Sequence, residues 1–266
     1  MIKLMNTEFY KLRKSVYLKL LCAGVILYGL SELLAGTPAS DIDGFMALMQ
    51  SFINWEIPYL FCGIFAAFYI SGDIERGGIE EELLAGFSKK IIFVTKTGMF
   101  FIGCILLLFC YQFIPTVIFS VLNGFAKVKT VSMWKAILCM EGAYLTIFVS
   151  CIGSCILFAF IFRKIYSSIV AEVFYIMIVL GILVQASGKY EIVRRIYQVL
   201  PYQKFQLIIQ NIIDNCSIDN GMIELLEKAQ GLGRISHMND IILNSGIVFL
   251  LALILGYGIF HKFQLR

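Results

Sequence analysis

The sequence predicts an all-α protein that crosses a membrane several times. Its mean hydropathy is +0.84, 59% of its 266 residues are hydrophobic and only 15% are charged, whereas about a quarter of the residues of a soluble domain carry a charge. The apolar residues also fall in runs of roughly 20, the length that a helix needs to cross a bilayer. Backbone groups in lipid must be hydrogen-bonded within the segment, so the spans are predicted as helices.

Six apolar runs divide the chain, which is predicted to form a single transmembrane domain, 1–266. The predicted spans are 16–35, 52–71, 91–121, 135–162, 165–187 and 241–260. The first run is longer than the apolar core of a secretory signal, which has roughly 7–15 residues. It is therefore predicted to be retained as a span.

Lysine and arginine near the ends of the spans predict the orientation. Eleven of these bases lie in tracts that share one side if six spans alternate: Lys3, Lys11, Arg13, Lys14, Arg76, Lys89, Lys90, Arg163, Lys164, Lys262 and Arg266. Loop 36–51, on the opposite side, has none. The bias predicts that both termini are cytoplasmic.

Two further segments are predicted to lie at the membrane surface. Residues 1–15 form an interfacial helix, although a plain basic flank that only sets the topology fits equally well. The apolar residues of this helix are expected to share one face: Ile2, Met5, Phe9 and Leu12. Tract 188–240 is too long to be structureless and is predicted to be an extracellular region, partly helical and re-entrant.

The tract between the second and third spans, residues 72–90, is charged and amphipathic. It holds five acids and three bases, yet Ile79, Leu83 and Phe87 are four apart and share one face of a short helix. Glu80–Glu82 fall in the first turn, where acids interact favourably with the helix dipole, and are expected to form an exposed acidic face.

The ends of this helix are also marked in the sequence. Gly86 is suited to ending it, and Ser88 is suited to capping the third span. A tight turn between two spans needs far fewer residues than 72–90. The tract is therefore predicted to lie on the inner membrane surface and to bind a soluble partner, with a connector that binds nothing as the alternative.

No motif of an enzyme or a cofactor site is recognisable. The nearest approach to a phosphate-binding loop, from Gly181 to Tyr190, has the wrong spacing and lacks the hydroxyl residue. Glu81 and Glu82 resemble the paired acids of intramembrane metal-dependent proteases, but Gly86 stands where those enzymes need arginine.

Seven of the eight cysteines lie in apolar runs and predict buried thiols rather than disulfides or metal ligands. The net charge of +4 favours no nucleic-acid partner.

An acid inside a span is costly and is a candidate functional residue. Glu172 lies inside the fifth predicted span, where it is expected either to pair with Arg163, Lys164 or Lys96, or to contact a substrate. Three other acids lie near the outer ends of spans, where water is close: Glu32, Glu56 and Glu141.

Three features occur together in this chain. They are the basic helix Glu8-Phe-Tyr-Lys-Leu-Arg-Lys-Ser15, the six-span layout, and the pattern Asp73-x-Glu-Arg-Gly-x-Ile-x-x-x-Leu-x-x-Gly-x-Ser-Lys-Lys90 after the second span. With this combination the chain resembles, over nearly its entire length, the small ABC-2-type permeases of bacterial ABC transporters. Leu200-Pro201-Tyr202 is also similar to the outer re-entrant region of that family.

The resemblance implies a location in the bacterial cell membrane and a coupling helix, within 72–90, that docks in a groove of a separate ATPase. The implied contact residues are Glu75, Arg76, Glu80, Glu81, Leu84 and Ser88. The ATPase binds ATP, so this chain has no cofactor of its own. Six spans form half of a translocation path, which implies a second permease subunit, either a copy or a paralogue. Permeases of peptide-antibiotic export and bacteriocin immunity have similar lengths, which implies an amphipathic cargo.

A non-ABC membrane protein, such as an ion-coupled carrier or a sensor, is the alternative. Carriers often contain repeated halves with broken helices at matching positions. Residues 1–133 and 134–266 show no such match. The sequence therefore favours the exporter subunit.

Overall fold

Every regular element that the structure describes is helical. The computed structural model describes residues 2–36, 42–125, 131–176, 190–191 and 238–262. The α-helices are α1 (Ile2–Lys14), α2 (Val16–Gly36), α3 (Gly44–Ile53), α4 (Glu56–Ala66), α5 (Gly72–Glu75), α6 (Gly78–Leu84), α7 (Lys89–Asn123), α8 (Val131–Phe162), α9 (Ile165–Phe174) and α10 (Met238–His261).

Five helical stretches of the described chain are long and apolar enough to cross a membrane. They are Val16–Ala35, Glu56–Glu75, Lys89–Asn123, Met140–Phe162 and Ile242–His261. These confirm the all-helical, multi-pass class and correspond to five of the six predicted spans. Of the other predicted span, 165–187, the structure describes the short apolar helix α9 and residues 175–176. Its remainder and nearly all of 188–240 lie outside the described residues, so the total of six stays a prediction.

The N-terminal segment is helical, as predicted, but its protein-facing stripe differs from the predicted apolar face. Leu4, Glu8 and Leu12 are buried, and they lie four residues apart on one side of α1. The neighbouring apolar residues point away from the protein: Ile2, Met5 and Phe9 are 74%, 45% and 53% exposed. Leu12 therefore belongs to the protein-facing stripe, whereas the other three remain available to lipid.

Helix α3 occupies much of the segment that was predicted as loop 36–51. Its N-cap is Asp43, whose Oδ1 accepts a hydrogen bond of 2.8 Å from the Met46 N–H, a favoured start for a helix. The N–H groups of Gly44 and Phe45 donate to the Gly124 and Phe125 carbonyls at 3.0 and 2.8 Å. This pairing fixes α3 against the end of α7.

The second span reaches tract 72–90 through a change of helix type. A π-helical turn, Ala67–Ser71, joins α4 to α5. The tract is not one helix, because Gly77 adopts a φ of 78° between α5 and α6, a conformation in which glycine has no steric penalty. The predicted end and cap are confirmed: Gly86 has a φ of 87°, and the Ser88 Oγ accepts a hydrogen bond from the Ile91 N–H at 3.4 Å.

Helices α7, α8 and α10 pack around an aromatic core. The ring of Phe93 lies 5.0 Å from Phe160 and 5.9 Å from Phe260, centroid to centroid. Helix α10 packs most extensively on α8, where Phe249 approaches Gly153 closely. The six described cysteines whose side chains can be assigned are free thiols, as predicted: Cys22, Cys62, Cys104, Cys110, Cys151 and Cys155.

The basic tracts that were predicted to share one side do lie at one end of the bundle. The Glu75 Oε2 accepts a hydrogen bond from the Ile165 N–H at 3.1 Å, which joins tract 72–90 to the start of α9. The Lys89 Nζ donates to the His261 carbonyl at 3.2 Å, which joins the tract to the end of α10. We call this end, with α1, 72–90, turn 163–164 and the end of α10, the basic end.

Candidate functional site

Tract 72–90 presents one face to its surroundings at the basic end. The Leu84 side chain, at the end of α6, is 88% exposed, although it is apolar. All six residues that were predicted to contact a partner are exposed: Glu75, Arg76, Glu80, Glu81, Leu84 and Ser88. The exposed face thus combines one apolar side chain with acids and an arginine.

The opposite face of α6 is anchored in the protein. Ile79 is buried, and Leu83 and Phe87 pack against the main core, which confirms the predicted apolar stripe. Glu82 is also buried, so the prediction that Glu80–Glu82 together form an exposed acidic face is wrong for its last member. The reason is the helical turn, which directs Glu82 to the same side as Ile79.

Glu82 belongs to a group of five charged side chains that we call the charged cluster: Glu8, Lys11, Asp73, Glu82 and Lys96. Lys96 is its centre and is 1% exposed. Its Nζ donates to the Glu82 Oε1 at 2.9 Å, to the Glu8 Oε1 at 3.2 Å and to the Asp73 Oδ2. One ammonium group therefore joins α1, α5, α6 and α7.

Lys11 completes the charged cluster from its more exposed side. Its Nζ lies 2.7 Å from the Glu8 Oε1, 3.1 Å from the Glu82 Oε1 and 3.7 Å from the Asp73 Oδ2. The Tyr69 hydroxyl, from the π-helical turn, donates to the Glu8 Oε2 at 2.6 Å. The three carboxylates are close enough to ligate one metal ion, but the two ammonium groups take the place of that ion.

The charged cluster shifts the pKa values of Glu8 and Glu82 in opposite directions. Burial would raise the pKa of Glu8, but the charges of Lys96 and Lys11 and the hydrogen bonds from Lys11 and Tyr69 lower it to about 2. Burial raises the pKa of Glu82, the Glu8 carboxylate adds to the rise, and Lys96 opposes it. Burial disfavours charge on Lys11, yet its acidic partners raise its pKa. Of the two acids Glu8 and Glu82, Glu82 therefore binds a proton more readily.

We expect Glu8 to make the protein acid-sensitive. Its folded-state pKa, about 2, lies below its ordinary value of 4.5, so its stabilising effect is present above pH 4.5 and is lost as the pH falls toward 2. Thermal unfolding of the wild type and of Glu8→Gln should be measured between pH 7 and pH 3. The wild type should lose more stability at acid pH than the variant, and parallel profiles would contradict this assignment.

Lys96 was predicted as one of three partners for Glu172, and that pairing is wrong. Lys96 lies in the charged cluster, and Glu172, 1% exposed, has no ion pair with any lysine or arginine in the described part of the chain. Its side chain packs against Gly63, where an added Cβ would lie 3.0 Å from the Glu172 Cγ. Cys155 and Tyr59 lie beside the carboxylate. Glu172 therefore remains a buried polar candidate without this expected partner.

Glu8 and Asp73 were not predicted as members of a site. The signal for Glu8 was its position between Leu4 and Leu12 on the buried stripe of α1, since an acid within an apolar stripe needs a partner. Lys96 gave a similar signal, because it is a charged residue that lies seven positions after the start of the apolar helix α7. Neither signal identified the partner.

Comparisons with protein-family models, curated proteins and solved structures give no match. The function proposed below therefore depends on the geometry of the basic end and on the sequence pattern of tract 72–90.

Proposed function

We propose that this chain is the membrane-spanning permease subunit of an ATP-driven ABC exporter of the ABC-2 type, in the bacterial cell membrane with both termini in the cytoplasm. The observation that carries the proposal is that the two faces of α6 differ. This helix exposes Glu80, Glu81 and Leu84 on one side and is fixed by Ile79 and Glu82 on the other. A surface that transmits force must both reach a partner and be firmly attached to the spans.

The charged cluster gives α6 this attachment. When the partner ATPase closes around ATP and displaces α6, Glu82 carries the displacement to Lys96 of α7 and to Lys11 of α1. Separating these groups would leave buried charges without partners, at a cost of about 3–5 kcal/mol. The helices therefore move together rather than apart. The π-helical turn at Tyr69 joins α5 to α4, so the displacement reaches the second span through this turn. Such turns are frequent at functional sites.

The proposal assigns the other parts of the transport system to other subunits. The ATPase binds and hydrolyses ATP, so this chain is a transport subunit without an ATPase site of its own and without a cofactor. Six spans make half of a path, and a second permease subunit, a copy or a paralogue, supplies the other half. The cargo is a peptide antibiotic, a bacteriocin or another amphipathic compound, which is exported or expelled from the membrane.

A non-ABC carrier is the second candidate, and Glu172 favours it. A buried acid without an ion pair among the described residues is what an ion-coupled carrier uses to bind a proton or a cation. Such a carrier would move solute in vesicles that contain this chain alone, without nucleotide. An exporter subunit would move none under these conditions.

The proposal is tested by isolating native complexes. The chain should be tagged at its C-terminus, extracted in mild detergent from its own membranes, and analysed by mass spectrometry. We expect an ATPase with a phosphate-binding loop to co-purify in stoichiometric amount. Recovery of the chain without any nucleotide-binding polypeptide, together with solute movement by the isolated chain, would contradict the proposal and support the carrier.

A further inference from the structure

A half-open cavity of about 420 Å3 lies next to the charged cluster at the basic end. Lys11, Tyr17 and Arg76 are among the residues that line it. The first span begins at Val16 and the second ends at Glu75, so the cavity lies at the level where both spans leave the hydrocarbon. This is the depth of lipid headgroups on either side of a membrane.

One wall of the cavity is aromatic. The ring of Tyr17 stacks on Phe68 with centroids 4.4 Å apart, and Phe65 stacks on Tyr69 at 5.4 Å. These four rings line the cavity together with Val16. An apolar wall next to polar groups suits an amphiphile better than a free ion, because it can bury the glycerol region and the first part of an acyl chain.

The polar wall carries charges of both signs. Arg76 is exposed, and its guanidinium forms no ion pair with any other described residue. The charged cluster behind it has three carboxylates but only two ammonium groups, and the Asp73 side chain is 22% exposed. The cavity therefore has, on one side, a cation without an ion pair among the described residues and, on the other side, an excess of negative charge.

We propose that this cavity is a binding site for a zwitterionic phospholipid whose headgroup carries a protonated primary amine. The phosphate binds Arg76, whose planar donors match phosphate oxygens, and the ammonium group is directed toward Asp73. The acyl chains lie against the wall of Tyr17, Phe65 and Phe68. An anionic headgroup without the amine leaves the negative excess uncompensated and binds less well.

The test measures lipid retention by the full chain without any ATPase, so its outcome is independent of the proposed exporter function. The protein is purified from vesicles of equal phosphatidylethanolamine and phosphatidylglycerol with identical acyl chains, and bound lipids are counted by native mass spectrometry. We expect phosphatidylethanolamine to be retained preferentially. Arg76→Gln should reduce this retention about tenfold, the effect of losing one charge-assisted hydrogen bond.

Arg13→Gln is the matched control, because Arg13 is an exposed arginine of the same end that does not line the cavity. It should retain lipid like the wild type. Excess inorganic phosphate should not displace the lipid. Equal retention of the two lipids, unchanged retention in Arg76→Gln, an equal loss in Arg13→Gln, or displacement by phosphate alone would each overturn the proposal.

Discussion

Replacing Lys96 with methionine is expected to destabilise the protein by about 3–5 kcal/mol, the cost of leaving a buried ion pair without one partner. Methionine preserves most of the side-chain volume but leaves Glu8, Asp73 and Glu82 around a group with no charge. The buried cysteines provide the measurement, because a thiol-reactive fluorophore labels Cys62 and Cys104 only when the helices separate. The midpoint of thermal unfolding in detergent should fall by roughly 10 °C.

Two variants control the Lys96 experiment. Lys90→Met removes an exposed lysine from the same helix and should change the midpoint by no more than about 2 °C, as surface substitutions usually do. Glu82→Gln in the Lys96→Met background removes one of the uncompensated acids and should restore part of the loss. A midpoint for Lys96→Met equal to that of Lys90→Met would show that the charged cluster does not hold these helices together.

Reversing the charge of Glu80 and Glu81 is expected to weaken capture of the ATPase strongly while the membrane helices stay folded. Both side chains are exposed and outside the charged cluster, so the double variant Glu80→Lys/Glu81→Lys should unfold close to the wild-type temperature. Like charges placed against a partner cost several kcal/mol, so ATPase recovered with the chain should fall by more than about tenfold. The amount of ATPase per permease in purified complexes measures this.

Glu56→Lys is the matched control for that charge reversal. Glu56 is an exposed acid at the start of α4, at the opposite end of the bundle from α6. The Glu56→Lys variant should leave the amount of recovered ATPase unchanged. If Glu80→Lys/Glu81→Lys also recovered the wild-type amount of ATPase, the exposed face of α6 would not be the docking surface.

Patterns that repeat locally predicted much of the fold. Apolar runs predicted the five spans that the structure describes, and the four-residue spacing of Ile79, Leu83 and Phe87 predicted which face of α6 is anchored. Helix α3 was missed, because ten residues are too few to cross a membrane and the segment was treated as a loop. The sequence signals for α3 were the capping residue Asp43 and the spacing of Phe45, Leu48 and Phe52. In the structure Asp43 caps the helix and the three apolar side chains are buried.

The charged cluster was not predictable from such patterns. Its ion pairs join residues that are far apart in sequence, as in the 88 positions between Glu8 and Lys96. A charge in an apolar stripe shows that a partner must exist, but its identity depends on how the helices pack. For this reason Lys96 was given as one of three possible partners of Glu172, and its pairing with three acids on other helices was not predicted.

Photo-crosslinking in living cells can capture the proposed contact between the exposed face of α6 and a nucleotide-binding subunit in the cytoplasm. A photoreactive amino acid is placed at position 84, where Leu84 is 88% exposed, and at the control position 121, where Val121 is 80% exposed at the far end of α7. We predict that position 84 alone forms an adduct with an ATPase. If position 84 forms no adduct with a nucleotide-binding protein, or if position 121 forms an equal amount of ATPase adduct, α6 is not the docking surface.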